Sequence, residues 1–145
     1  AFGCEVLAYS RTKKPESGLT YVSMEELLAN SDIVSLHVPL TDATRGLIGY
    51  DQLKLMKPNA VLINTARGPV VDSQALKEGV IAGAGVDVFE IEPPIDPEHP
   101  LFYAPNLIAT PHVAFATKEA LYKRAVIVCD NLEKWLAGKP QNVIK

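Results

Sequence analysis

The sequence is poor in cysteine, with two in 145 residues, Cys4 and Cys129, too far apart to form a metal-type or redox pair. That excludes a disulfide framework or a thiolate metal centre as the organising device, and reads as two reduced, largely buried thiols in a cytoplasmic protein. Positive charge is not in excess either. The 14 Lys and Arg stand against 17 Asp and Glu, a net charge of −3, and the basic residues are dispersed. Nucleic acid is thereby excluded as the main partner, because phosphate binding wants a basic face. No apolar run approaches the roughly 20 residues that cross a bilayer, and no signal segment precedes the first apolar run, so no membrane partner is expected. Internal repeats and low-complexity tracts are missing. So is an initiator methionine, since the chain opens at Ala1, which raises the expectation of a segment upstream.

What is present suits one globular domain over residues 1–145, with 48% hydrophobic and 21% charged residues to build a core and a surface. Five short runs dense in Val, Ile, Leu and Ala, at residues 4–10, 32–38, 60–66, 83–89 and 106–110, lack clean period-two alternation. That is the pattern of strands covered on both faces. Helical signals lie between them. Ser23 and Glu26 form a capping box ahead of Leu27 and Leu28. Asp51 caps a turn carrying Leu53 and Met56 that stops at Pro58, and Asp72 or Ser73 starts a short helix ended by Gly79. From about 116 to 137, Leu121, Ala125, Val128, Leu132 and Trp135 or Leu136 recur at helical spacing, until Gly138 and Pro140 end the run. Alternating strands and helices with right-handed crossovers predict a three-layer, doubly wound parallel α/β domain of five strands. The one long connection, residues 90–105, is rich in proline and too long for mere linkage.

In an open parallel sheet, ligands collect outside the carboxyl ends of the strands. Those ends hold Ser10-Arg11, His37-Val38-Pro39, Asn64 through Gly68, Asp87 through Glu92 and Thr110-Pro111-His112. Arg67, in the stretch LINTARGPVVD, is either a solvated loop charge or a planar fork for a carboxylate. His112 is either a surface or capping histidine or a group that exchanges a proton near neutral pH, with Glu92 favouring its charged form. His37 reads as a structural or cofactor-edge residue, and His99, in the proline loop, as merely solvated. An anion fork with a histidine and carboxylate suits the oxygen chemistry of a 2-keto or 2-hydroxy acid. No side chain supplies a hydride, so a nicotinamide is implied. No metal-ligating cluster is evident.

The stretches LLANSDIVSLHVPLTDATRGLIG, KPNAVLINTARGPVVD, GAGVDVFEIEPP and TPHVAFAT resemble the successive signatures of the NAD(P)-dependent D-2-hydroxyacid dehydrogenases, over about residues 3–144. The resemblance implies that Arg67 binds the substrate carboxylate and carbonyl, that His112 is the acid/base and that Glu92 is its partner. It implies further that Asp87 binds the nicotinamide carboxamide and that Thr65, Ala66 and the turn His37, Val38, Pro39 line the cofactor. Ser10 and Arg11, with Thr12, Lys13 and Lys14, sit where many of these enzymes carry an acid for the adenosine ribose. A serine among cations tolerates a 2′-phosphate, so the implied cofactor is NAD or NADP, unless the segment is an ordinary polar turn. Residues 140–145 would be a tail returning to a substrate domain.

Two features depart from that family. The first strand with its Gly-rich turn for the pyrophosphate is absent, and the helix between Asp72 and Gly83 looks about one turn short. In the order 3-2-1-4-5-6 the first strand is central, and its loss leaves two interior edges unpaired, which is costly. Closure of the gap, pairing residues 4–10 with 60–66, predicts a flavodoxin-like order 2-1-3-4-5 and moves Ser10 toward Asn64. A dimer that exchanges strands is the alternative. The function implied is a segment of an oxidoreductase acting on a small 2-hydroxy or 2-keto acid, inactive alone. The competing reading is a non-enzymatic truncated domain or a module that forms a homodimer through its long helix. A flavin or phospho-acceptor role is a third reading, suggested by strand order alone.

Overall fold

In the computed structural model, which describes residues 3–13 and 18–144, the apolar runs become short parallel strands and polar caps start the helices between them. Lys14 of the basic turn lies outside the described residues. The chain forms two compact units, Ala1–Pro111 and His112–Lys145.

The first unit holds β1 (Leu7–Ala8), β2 (Thr20–Tyr21), α1 (Met24–Asn30), β3 (Ile33–Leu36), α2 (Tyr50–Leu55), β4 (Val61–Asn64), α3 (Ser73–Lys77), β5 (Gly83–Val86) and β6 (Leu107–Ala109). Each helix starts for a local reason. Ser23 caps α1 by accepting from the Glu26 amide at 3.1 Å, as its sequence signature predicts. Asp72 caps α3, accepting from the Gln74 and Ala75 amides at 2.9 and 3.3 Å. The cap of α2 is Gly49 rather than Asp51: its amide donates to Gln52 Oε1 at 3.1 Å, and Asp51 falls in the first turn, where its charge still favours the positive end of the helix dipole.

All pairings are parallel, as expected of an α/β fold, but the strand order differs from the closed arrangement. β1 pairs with β2, and a separate sheet runs β3-β4-β5-β6. The run at 32–38 therefore sits directly against 60–66, with Ile33 opposite Val61 and Leu36 opposite Asn64, and 4–10 forms no ladder with either. The missed element is β2, two residues long, too short and too polar in its surroundings for a hydrophobic pattern to reveal. It gives β1 a neighbour on one side. The other edge of β1 and the outer edge of β3 carry no ladder among the described residues.

Burial alternates along β3: Val34 and Leu36 are buried, Ile33 and Ser35 exposed. On the buried side Leu62, Ala84 and Val86 join Leu28 of α1, Leu53 of α2 and Ala75 and Leu76 of α3 in one apolar core. The opposite face of this unit exposes Ile33 and Ile108. Within the first unit, α1, α2 and α3 pack against the face that carries Val34 and Leu36.

The second unit is α4 (Lys118–Leu136) and the residues around it. Thr117 caps α4 through the Ala120 amide, and Gly138, at φ 71, ends it. Lys134 Nζ reaches Asp130 at 3.0 Å and Gln141 Oε1 at 2.6 Å, folding the tail back on the helix. No residue of α4 is buried, and Trp135 and Leu136 are among its exposed apolar side chains. Cys4 and Cys129 are both exposed, not buried as expected, because the first precedes the short β1 and the second sits on α4.

Candidate active site

The carboxyl ends of β3 and β4 open into a cleft of about 570 Å³ lined by His37, Val38, Pro39, Leu40, Thr65, Ala66 and Arg67. One wall follows β3. His37 Nε2 lies 2.9 Å from Ser35 Oγ, and the turn beyond it is fixed by Thr44, whose hydroxyl donates to the Pro39 carbonyl at 2.6 Å and accepts from the Thr41 amide at 2.8 Å. The other wall follows β4, where Asn64 shapes the loop. Its side chain is 1% exposed, accepts from the Ala66 amide and donates to the Arg67 carbonyl, both at 3.0 Å. A buried amide with both ends satisfied holds the 65–67 segment in a single path. Arg67 itself is exposed, and its Nη1 donates to the Ala66 carbonyl at 2.6 Å. The guanidinium keeps further N–H groups for a ligand.

Gly68 explains the glycine after that arginine. A Cβ there would lie 2.0 Å from the Phe89 carbonyl carbon and oxygen and 2.4 Å from the Glu90 nitrogen. The Arg67 loop therefore rests directly on the peptide that follows β5. The peptide just before it, Val88–Phe89, orients Glu92, whose Oε1 accepts from the Phe89 amide at 2.7 Å. Arg67 and Glu92 are so tied to one stretch of backbone. Asp87 is 4% exposed and accepts from the Thr110 hydroxyl at 2.5 Å, joining the ends of β5 and β6. His112 opens the second unit and has φ 55, a left-handed conformation that a histidine adopts seldom and that gathers at functional positions. Ser10 and Arg11 are exposed beyond β1 and line no part of the cleft. With no closure between β1 and β4, Ser10 has not moved into the position that the closed order predicts.

Three residues escape a reading for chemistry. Ser73 donates to Glu90 Oε1, and Glu90 Oε2 lies 2.8 Å from His99 Nε2. His99 is not simply solvated: its side chain is 13% exposed. The signals available were a second acid two residues before Glu92 and a histidine before Pro100. Among the described residues no cluster of His, Cys, Asp or Glu could hold a metal ion. No helix there is long and apolar enough to cross a membrane.

Parallel strands joined through helices, with a cleft at their carboxyl ends, define a nucleotide-binding type of α/β fold. The family model for the D-isomer specific 2-hydroxyacid dehydrogenase NAD binding domain matches residues 1–114, and the chain belongs to that family. It is 51% identical over 152 aligned positions to the glyoxylate reductase of Thermococcus litoralis, covering 99% of this chain and 45% of the relative. It is 52% identical over 151 positions to the glycerate dehydrogenase of Methylorubrum extorquens, covering 100% of this chain and 46% of the relative. Among solved structures it superposes with a TM-score of 0.86 on the NAD-complexed form of a D-isomer specific 2-hydroxyacid dehydrogenase from Lactobacillus delbrueckii ssp. bulgaricus, at 36% identity over 99% of this chain and 49% of that one. The chain thus spans about half the length of the curated relatives it matches.

Proposed function

We propose that this chain is the nucleotide-binding segment of an NAD(P)-dependent oxidoreductase that interconverts small 2-hydroxy and 2-keto acids, and that it does not turn over alone. The observation that carries this reading is the cleft between His37–Leu40 and Thr65–Arg67 at the strand ends of a chain in this family. Val38, Pro39 and Ala66 offer the apolar surface a flat nicotinamide ring needs, and Thr65 and His37 the polar edge. Asp87 would meet the carboxamide, and Ser10 and Arg11 the adenosine ribose, where a 2′-phosphate would find a cation. The nicotinamide, when bound, supplies or accepts the hydride.

The other roles belong to side chains of this chain. Arg67 holds the substrate carboxylate with the planar pair of N–H groups suited to it. His112 exchanges the proton of the substrate oxygen, donating it during reduction and taking it during oxidation. Glu92, whose carboxylate accepts from the Phe89 amide, is the acid that the family resemblance assigns as the partner of His112. The rest of the protein brings a strand to the unpaired edges of β1 and β3 and, with it, the pyrophosphate site. A cytoplasmic location, a homodimer and both units acting as one nucleotide-binding domain belong to the same reading. The competing reading is a non-enzymatic interaction module, which would use the apolar side chains of α4, Trp135 and Leu136 among them.

The test is titration of NADH and NADPH, followed by reduced-cofactor fluorescence, first with the chain and then with a separately expressed amino-terminal portion added. Glyoxylate and hydroxypyruvate reduction is assayed in the same mixtures. The expected result is saturable binding and turnover in the mixture only. Arg67→Met should then raise KM for the keto acid about 10–100-fold, the loss of one charge-assisted pair. No saturable binding up to millimolar cofactor, with the second portion present, would leave the interaction module.

A further inference from the structure

We infer that Ser73, Glu90 and His99 form a positioning clamp that fixes the Phe89–Glu90 peptide and so sets Glu92 relative to Arg67, deepening the proposed function and resting on it for the roles of those two residues. The geometry closes a ring. Gly68 follows Arg67 and begins a 3₁₀ turn (Gly68–Val70), and α3 starts three residues later at Ser73. Gly68 presses on the Phe89–Glu90 peptide from one side, and the Ser73 hydroxyl bonds the Glu90 carboxylate from the other. The Arg67 segment and the end of β5 are therefore joined twice, through backbone contact and through a side-chain bond seventeen positions apart.

His99 adds the third attachment, from the far end of the proline loop. Its Nδ1 accepts from the Leu101 amide at 3.3 Å, and its Nε2 lies 2.8 Å from Glu90 Oε2. Glu90 Oε2 is buried and has no aligned hydrogen-bond donor, and His99 Nε2 is the polar group that faces it. Aromatic rings surround the pair. Phe89 meets His99 edge-on with centroids 5.4 Å apart, and Phe102 lies 5.8 Å from Phe89 and 6.2 Å from His99. These ring contacts hold the far end of the proline loop against the residues that follow β5. Phe89 thus contributes its amide to Glu92 and its ring to the clamp. A carboxylate that must face a partner within a few tenths of an ångström needs such support from residues that touch no substrate.

The experiment is amide hydrogen exchange by NMR on the chain itself, with Ser73→Ala, His99→Phe and Ser73→Thr. The first two should speed exchange of the Phe89 amide at least about 10-fold, while Ile63 and Gly85, central in the sheet, stay within about twofold of the parent. Ser73→Thr keeps the hydroxyl and should return the Phe89 rate to within about threefold of the parent. An unchanged Phe89 rate in both disrupted variants, or equal acceleration across the sheet, overturns the clamp. The readout needs neither cofactor nor substrate, so the two ideas fail separately. A responsive Phe89 amide in a chain whose complemented form never reduces a keto acid upholds the clamp and sinks the enzymatic role. Turnover with an unresponsive amide does the reverse.

Discussion

Replacing Gly68 with alanine should destabilise this chain more than any other single methyl added at a glycine. The built Cβ falls 2.0 Å from Phe89 C and O, whereas carbon contacts settle near 3.5 Å, so about 1.5 Å of separation must be found. Neither side yields readily. The Gly68 segment is held by Val70 N–H on the Arg67 carbonyl at 3.2 Å and Val71 N–H on the Gly68 carbonyl at 3.1 Å. Opposite, Asp87 N–H reaches the Asn64 carbonyl at 3.0 Å and Phe89 N–H reaches Glu92. Overpacking of this kind costs about 1–3 kcal/mol, and one or two backbone bonds lost in the adjustment add about 1 kcal/mol each. The sum, about 2–5 kcal/mol, is a large share of the roughly 5–15 kcal/mol of a typical domain, and should lower the midpoint of a thermal melt by about 5–20 °C. Two other glycines are controls. At Gly46, φ is 62 and nothing lies within 4 Å, so alanine meets backbone strain alone, about 1–2 kcal/mol. At Gly85 the only neighbour is Ile63 Cδ1 at 3.0 Å, the movable end of a side chain, and the effect should stay within about 1 kcal/mol. Far-UV circular dichroism melts of the three variants give the order directly. A Gly68→Ala midpoint no lower than that of Gly46→Ala would refute the close approach of the Arg67 loop to the Phe89–Glu90 peptide.

Other expectations concern side chains. Asn64→Leu leaves the Ala66 amide and the Arg67 carbonyl without their partner, and should cost about 2–4 kcal/mol, read as a lower urea midpoint at unchanged slope. Tyr103 donates to Glu98 Oε2 at 2.7 Å, and that bond above all holds its phenol above the ordinary 10.0. Its contribution to stability is therefore complete below pH 10 and disappears as pH rises through the folded value; Glu98→Gln should bring the 295 nm titration back down. Asp130 is the opposite case, held below its ordinary 3.8 by the Lys134 and Gln141 bonds. Its contribution is present above that ordinary value and is lost as pH falls through the folded one. Lys134→Met should raise the carboxylate titration seen by ¹³C NMR.

What the sequence revealed and what it hid divide by the distance over which each feature is decided. The Ser23 and Asp72 caps are settled within three residues and were legible. That Arg67 and the His37–Pro39 turn border one cleft follows from a similar local pattern, because residues that end adjacent strands of a parallel sheet share a rim. Gly49 at the start of α2 was hidden by a better-looking competitor, Asp51, two residues too deep. The Ser73, Glu90 and His99 contacts join positions 17 and 9 apart, across a loop whose path no local pattern specifies.

Strand order was misjudged for a more instructive reason. The closed arrangement weighed the penalty of two unpaired edges and let the chain abolish it by pairing β1 with β4. The backbone of this chain has a commitment that outweighs such a shift: β3, α2 and β4 form one parallel crossover unit whose register places Ser35 beside Ile63 and Leu36 beside Asn64. Inserting β1 between them would break that ladder and carry Leu36 and Asn64, both buried, away from the core that α2 covers. It would also separate His37–Leu40 from Thr65–Arg67, the two walls of the cleft. The edges of β1 and β3 stay open because keeping β3 on β4 preserves both the core and the site, and an added strand would complete the sheet without moving either.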